Sequence, residues 1–185
     1  HGQRNRLVAS GFSLRNGQWR DYGLYVPHSA FLSQLRVTNG DIDAAGTFNL
    51  HELPGRLGGM RRYMLTSTAY PDYVVGIESS QQMIGRQMIR SQWSEDVWKP
   101  SGFLGLRNPV FALWTVCVPT GPNKVPGALQ FGVGSTGSGG YVWSSVHSFS
   151  WLVYGWLSSL WGGVDARAQW LPEPALELDF DLCPA

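Results

Sequence analysis

GALQFGVGSTGSGGYVWSSVHSFSW, residues 127–151, is compatible with two different folds, and the residues directly after its glycines decide between them. GVGSTG at 132–137 matches the glycine pattern of a dinucleotide-binding turn, which requires a helix directly behind it because the helix N-terminus supplies the amides that hold the pyrophosphate. The glycines lead instead into SGG and then YVWSSVHSF, where Tyr141, Trp143, Ser145, His147 and Phe149 alternate with Val142, Ser144, Val146 and Ser148. A period of two is the signature of a strand. No lysine succeeds the glycines as a phosphate-binding loop requires, and the next acid, Asp165, lies beyond another apolar element. Residues 132–140 therefore read as a mobile Gly/Ser loop that binds no nucleotide, and the protein reads as all-β.

The flanking segments agree. NPVFALWTVCVPTGP, residues 108–122, is a continuous apolar run rich in β-branched and aromatic residues and ended by Pro119, the pattern of a strand buried on both faces. In ALELDFDLC near the C-terminus, Leu176, Leu178, Phe180 and Leu182 alternate with Glu177, Asp179 and Asp181. That predicts an edge strand with one face on a core and three acids facing solvent, or alternatively holding a cation. FSLRNGQWRDYGLYV, residues 12–26, places Asn16-Gly17 between two strand-like runs and predicts a hairpin on a type I′ turn. Asn39-Gly40 reads in the same way. HELPGRLGG, residues 51–59, reads as a loop, and RYMLTSTAYPDYVVGIE as two strands broken at Pro71.

Two segments carry helical spacing. In SSQQMIGRQMIRSQ, residues 79–92, Ser79 and Gln82 have capping-box spacing, and Met83, Ile84, Gln87 and Met88 follow a helical stripe weakened by Gly85. Residues 149–161 fit either a helix ended by Gly162-Gly163 or two short strands bending at Gly155, and the all-β surroundings favour strands. The fold class expected is an antiparallel β-sandwich or jelly-roll-like domain spanning residues 1–185, with at most one or two short helices and with residues 1–6 as a linker.

Composition narrows the function. Charged residues make up 15% of the total, against roughly 25% in an ordinary soluble domain, while glycine (23) and tryptophan (9) are abundant. The formal net charge of +1 gives no global field to attract nucleic acid or an anionic membrane. Eight arginines between Arg4 and Arg62 face four acids, whereas five acids and one arginine are found from Asp165 onward, a distribution read as solvated surface. The most apolar run, WLVYGWLSSLW at 151–161, is shorter than the roughly 20 residues a bilayer span needs. Cys117 and Cys183 either pair with one another or stay free, since spacing in the sequence does not place their Cα atoms.

Catalytic patterns are sparse. His28, His51 and His147 are far apart, HELPG lacks the second histidine of a zinc-protease helix, and the nucleophile-elbow pattern is missing. Glu78, Glu95 and Asp96 have no spacing that pairs them as glycosidase carboxylates. These patterns lead to the expectation of a protein that is not an enzyme and uses no cofactor and no metal. Nine tryptophans exceed what the core of one such domain accommodates, so some are expected at the surface as recognition anchors. Trp19, Trp93, Trp98, Tyr141 and Trp143 are the candidate binding residues.

A sequence without an initiating methionine, poor in lysine, rich in turns, carrying the ALWTVCVPTGP strand and ending just past an amphipathic strand resembles the protruding domain of the capsid protein of small positive-strand RNA viruses of the tombusvirus, nodavirus or sinaivirus type. The resemblance implies a non-enzymatic domain on the outer surface of the virion that associates with copies of itself and attaches to a host-cell receptor or glycan, with no nucleic acid bound and no membrane insertion. A carbohydrate-binding module or lectin, stacking exposed Trp or Tyr on sugar rings, is the alternative.

Overall fold

The computed structural model describes residues 6–26, 32–34, 36–57, 59–70, 73–78, 83–87, 110–111, 114–133, 142–144, 153–155 and 166–183. These residues are all-β and predominantly antiparallel, as the period-two patterns predict, with two short 3-10 turns at Ala44–Gly46 and Ala166–Ala168. The core is lined by one thirteen-stranded sheet that curls on itself.

Six strands make a ring: β1 (Arg6–Asn16), β5 (Phe48–Leu57), β6 (Met60–Ser67), β10 (Trp114–Val118), β11 (Gln130–Val133) and β14 (Trp170–Glu173). Each pairs antiparallel with the next, β1 with β5, β5 with β6, β6 with β10 and β10 with β11. The ring closes through β14, which pairs with β1 along Ser13–Asn16 and with the foot of β11 at Leu129, where Leu129 and Trp170 exchange both backbone hydrogen bonds at 2.7 and 2.8 Å. Closure between β11 and β14 is made by this one bridge.

Three further strand pairs interrupt the ring at regular places. β2 (Gly23–Tyr25) pairs with β4 (Arg36–Thr38) between β1 and β5. β7 (Tyr73–Glu78) pairs with β8 (Met83–Gln87) between β6 and β10, and β12 (Val142–Ser144) with β13 (Val153–Gly155) between β11 and β14. A short strand, β3 (Leu32–Gln34), joins β8 across two of these pairs, and β9 (Val110–Phe111), which follows β8 in sequence, joins β7. The described residues thus fall into three successive units, each containing a ring strand, a strand pair and a second ring strand, which is a β-trefoil-like order.

The core repeats with the units. Opposed within each unit's two ring strands are Phe12 and Phe48, Tyr63 and Trp114, and Leu129 and Trp170, all six buried in one apolar cluster. The next inward positions pair across units, Leu50 with Leu65 and Val116 with Phe131. β1 serves both β5 and β14 because it bends: its register against β5 slips between Leu7 and Ala9 and again between Ser10 and Phe12, and the second slip falls at Gly11, which takes φ +70°, a left-handed conformation open to glycine, and donates its N–H to Asn49 Oδ1.

Several sequence expectations change. Residues 51–57 are strand, not loop, and Pro54 and Gly55 sit in the irregularity between Leu53 and Arg56 where the ladder is already broken. Residues 83–87 are strand, not helix; five residues fit both periods, and pairing with both β7 and β3 overrides the weak helical spacing. Asn39-Gly40 leads from β4 into the first 3-10 turn instead of closing a hairpin. Gly132 and Val133, expected in a mobile loop, belong to β11, and Arg6, expected in a linker, begins β1. The remaining part of that loop, residues 134–140, lies outside the described residues. In the segment 149–161, Val153–Gly155 form a strand, and the rest is outside them.

The C-terminal segment keeps its alternation only in part. Leu176 and Leu178 pack against the core, and Phe180 enters it 5.8 Å from the Tyr63 ring, while Glu177 and Asp179 are exposed. The pattern then breaks. Leu182, expected to face inward, is 68% exposed, and Cys183 turns inward to form a disulfide with Cys117. β15 (Asp181–Leu182) runs parallel to β10 beside that bridge. Asp181 does not simply face water: it accepts the Arg61 N–H at 2.9 Å and lies 3.7 Å from the Arg56 guanidinium. Among the described residues no group of three or more His, Cys, Asp or Glu is placed to hold a metal ion.

Candidate functional site

Among the described residues, a surface loop held by buried hydrogen bonds runs from Gly17 to Tyr22, between β1 and β2. The type I′ turn expected at Asn16-Gly17 is replaced by this longer loop, closed by Asn16 N–H to Tyr22 O at 2.9 Å and Tyr22 N–H to Trp19 O at 2.9 Å. The asparagine works through its side chain. Asn16, fully buried, accepts the N–H groups of Gln18 and Trp19 on Oδ1 at 2.9 and 3.2 Å, and its Nδ2 donates to Arg167 O at 2.9 Å. A buried polar side chain with its hydrogen bonds made fixes the loop backbone at low cost.

Gly17 is needed for proximity and not for its φ. Its N–H donates to Gln169 O at 2.8 Å, and a Cβ placed on it would lie 2.8 Å from Ala166 O and 3.1 Å from Gln169 O. The loop of the first unit is thereby seated on the 3-10 turn of the third. Gln169, itself fully buried, carries the network onward: Nε2 donates to Asn123 O at 2.8 Å and Oε1 accepts from Val125 N at 2.6 Å. Replacing Gly17 by Ala pushes these backbones apart, with an expected loss of about 1–3 kcal/mol in denaturant unfolding; an unchanged midpoint contradicts the close seating.

On this base stand Trp19, Arg20, Asp21 and Tyr22. Trp19 and Tyr22 are half-buried, each packing one side against the core cluster, and Arg20 and Asp21 are exposed. Arg15 braces the loop from below, donating to Asp21 O at 3.1 Å and pairing with Glu173 at 3.2 Å. The loop thus carries a half-buried indole and phenol, an exposed carboxylate and an exposed guanidinium whose Nε donates to Gly17 O at 3.4 Å, groups suited to holding a polar ligand with apolar faces.

Of the five residues expected to bind, the structure places Trp19 on this loop and Trp143 in β12 opposite Tyr154. Trp93, Trp98 and Tyr141 lie outside the described residues. A tyrosine in the core behaves differently. Burial pushes the Tyr63 hydroxyl above its usual range near 10, and Arg61 beside it opposes that rise.

The internal repeat that builds the site is present in the sequence. FSLRNGQWRDY from Phe12 reappears 51 residues later as YMLTSTAYPDY from Tyr63, aligning Leu14 with Leu65, Asn16 with Ser67 and Trp19 with Tyr70. The copies share a mechanism: fully buried Ser67 accepts the Tyr70 N–H on Oγ at 3.2 Å, as Asn16 accepts that of Trp19, and Tyr70 also packs against the core. DAAGTF from Asp43 returns as DARAQW from Asp165, in each case a 3-10 turn, one residue, then the buried aromatic Phe48 or Trp170.

No protein-family profile and no curated protein matches the sequence. Solved structures do. A mosquitocidal holotoxin superposes with a TM-score of 0.56 at 10% identity, over 92% of this protein and 17% of the toxin. A salivary protein from Culex quiquefasciatus, of the cysteine and tryptophan-rich family, superposes with a TM-score of 0.52 at 10% identity, over 89% of this protein and 94% of its own length. The match therefore spans a small part of the toxin and nearly the whole of the salivary protein. At 10% identity these likenesses establish a shared fold, and nothing more.

Proposed function

We propose that the protein is a non-enzymatic recognition domain that binds carbohydrate through the Gly17–Tyr22 loop. The observation that carries this reading is a half-buried tryptophan, Trp19, on a backbone held by the buried side chain of Asn16 and by the close seating of Gly17. An aromatic fixed before the ligand arrives loses little freedom on binding, and a sugar ring presents apolar C–H faces to stack on it and hydroxyls for Asp21 and Arg20.

The buried disulfide between Cys117 and Cys183 supports display in an oxidising setting, a category that includes secreted proteins and virion surfaces. It is equally compatible with a second reading, in which the same domain projects from a viral capsid and serves attachment there. The sequence preceding His1 distinguishes the two: a jelly-roll shell domain with an arginine-rich arm supports the capsid, and a secretion signal opposes it.

The test of the site is binding to an immobilised panel of neutral and sialylated oligosaccharides. Trp19→Ala is expected to weaken the strongest interaction at least about tenfold, as loss of one stacking aromatic does, with the circular dichroism spectrum unchanged. Wild-type protein that binds no member of the panel, or a Trp19→Ala variant that binds equally well, overturns the reading.

A further inference from the structure

The dipeptide Asn-Gly occurs at 16–17 and at 39–40, and the fold treats the two oppositely. Asparagine deamidates when the backbone nitrogen of the following residue, after giving its proton to base, attacks the carbonyl carbon of the side-chain amide. A new nitrogen–carbon bond forms, the bond from that carbon to the amide nitrogen breaks, and ammonia departs to leave a five-membered succinimide. Water then opens that ring at either carbonyl, giving aspartate or isoaspartate. The net change is asparagine plus water to acid plus ammonia, with no oxidant or reductant involved. Glycine in second place speeds the attack because it has no Cβ to crowd the nitrogen. The reaction needs a side chain free to rotate and an N–H open to base.

Asn16-Gly17 meets neither need. Asn16 is fully buried with Oδ1 and Nδ2 both hydrogen-bonded, and the attacking N–H of Gly17 is held by Gln169 O at 2.8 Å. Asn39-Gly40 meets the first, and for the second it offers an exposed amide held by one side-chain hydroxyl instead of by the carbonyl of a buried residue. Asn39, Gly40 and Asp41 are all exposed, the Asn39 side chain makes no hydrogen bond to the described residues, and the Gly40 N–H rests only on the hydroxyl of Thr38 at 3.0 Å.

We propose that Asn39 is a site of spontaneous deamidation in the folded protein and that Asn16, the same dipeptide in the same molecule, is protected by the fold. Conversion changes the formal net charge from +1 to zero and sets a new carboxylate near Asp41 and Asp43, the latter capping the 3-10 turn that leads into β5. The isoaspartyl product also adds one methylene to the backbone at this point.

Folded protein incubated in warm, mildly alkaline buffer and digested with trypsin yields the two sites in separate peptides, Asn16–Arg20 and Val37–Arg56. Fragmentation separates Asn39 from Asn49 within the second. The acid and isoacid forms are expected to accumulate at Asn39 at least about ten times faster than at Asn16, whose reaction must wait for local opening. In urea the two sites converge, and Gly40→Ala slows the reaction at Asn39 in the folded protein. An Asn39 that stays intact, or equal rates at both sites in the folded state, overturns the proposal.

Discussion

Trp114→Ala is expected to cost about 3–5 kcal/mol, the range for emptying a large buried aromatic position, against a total stability of roughly 5–15 kcal/mol for such a domain. Trp114 is fully buried, faces Tyr63 across the β6–β10 link and meets the Phe131 ring edge-on with centroids 6.3 Å apart. Its indole N–H donates to Val75 O at 2.9 Å, tying the ring to the strand pair of the second unit. The variant therefore loses packing and leaves a buried carbonyl without its donor, and the second loss adds to the first. Phenylalanine at this position restores most of the volume but not the hydrogen bond, and is expected to fall between the two. Equilibrium unfolding in urea measures the series. A midpoint for Trp114→Ala within error of wild type contradicts the placement of this residue at the centre of the core.

Breaking the Cys117–Cys183 bridge is expected to have a comparable effect. The two residues are 66 apart in sequence, and releasing a loop of that length stabilises the unfolded state by about 4 kcal/mol in the loop-closure entropy treatment. Cys117 and Cys183 are buried together with Met60, so a Cys117→Ser, Cys183→Ser double variant also puts two hydroxyls among apolar neighbours. Wild type with and without a dithiol reductant, followed by thermal unfolding, is expected to differ in Tm on the order of 10 °C, using the usual conversion for a domain of this size. Equal melting temperatures, with reduction verified by thiol titration, contradict the pairing.

Individual strands were legible in this sequence wherever burial imposed a simple period. The run at TVCV and the alternation through Phe180 both survive as strand or extended packing, because a side chain facing a core leaves a two-residue rhythm whatever the topology. Closure of the ring was not legible that way. It depends on Leu129 meeting Trp170, two residues whose neighbours carry no mark of each other, and it becomes readable only through the repeat of FSLRNGQWRDY in YMLTSTAYPDY and of DAAGTF in DARAQW. The identities are few because the core needs only an aromatic or leucine of fitting size at each repeated place. The candidate site obeyed the same rule. Trp19 could be singled out by its position after a turn, but the roles of Asn16 and Gly17 could not, since both depend on the 3-10 turn at Ala166–Ala168, roughly 150 residues away. At Leu182 the sequence pattern fails for a local reason: the disulfide draws Cys183 inward one residue out of phase.

The strands close into a ring through the Leu129–Trp170 link, and everything said of the three units depends on that closure. Scalar couplings across hydrogen bonds, measured by NMR on isotopically labelled protein, test it directly. A coupling from Trp170 N–H to the Leu129 carbonyl, and the reciprocal one from Leu129 N–H to Trp170, are predicted, with both amides exchanging slowly with solvent. Absence of both couplings, with the two amides exchanging as fast as those of the exposed loops while β1–β5 and β5–β6 stay protected, would show an open sheet and contradict the ring.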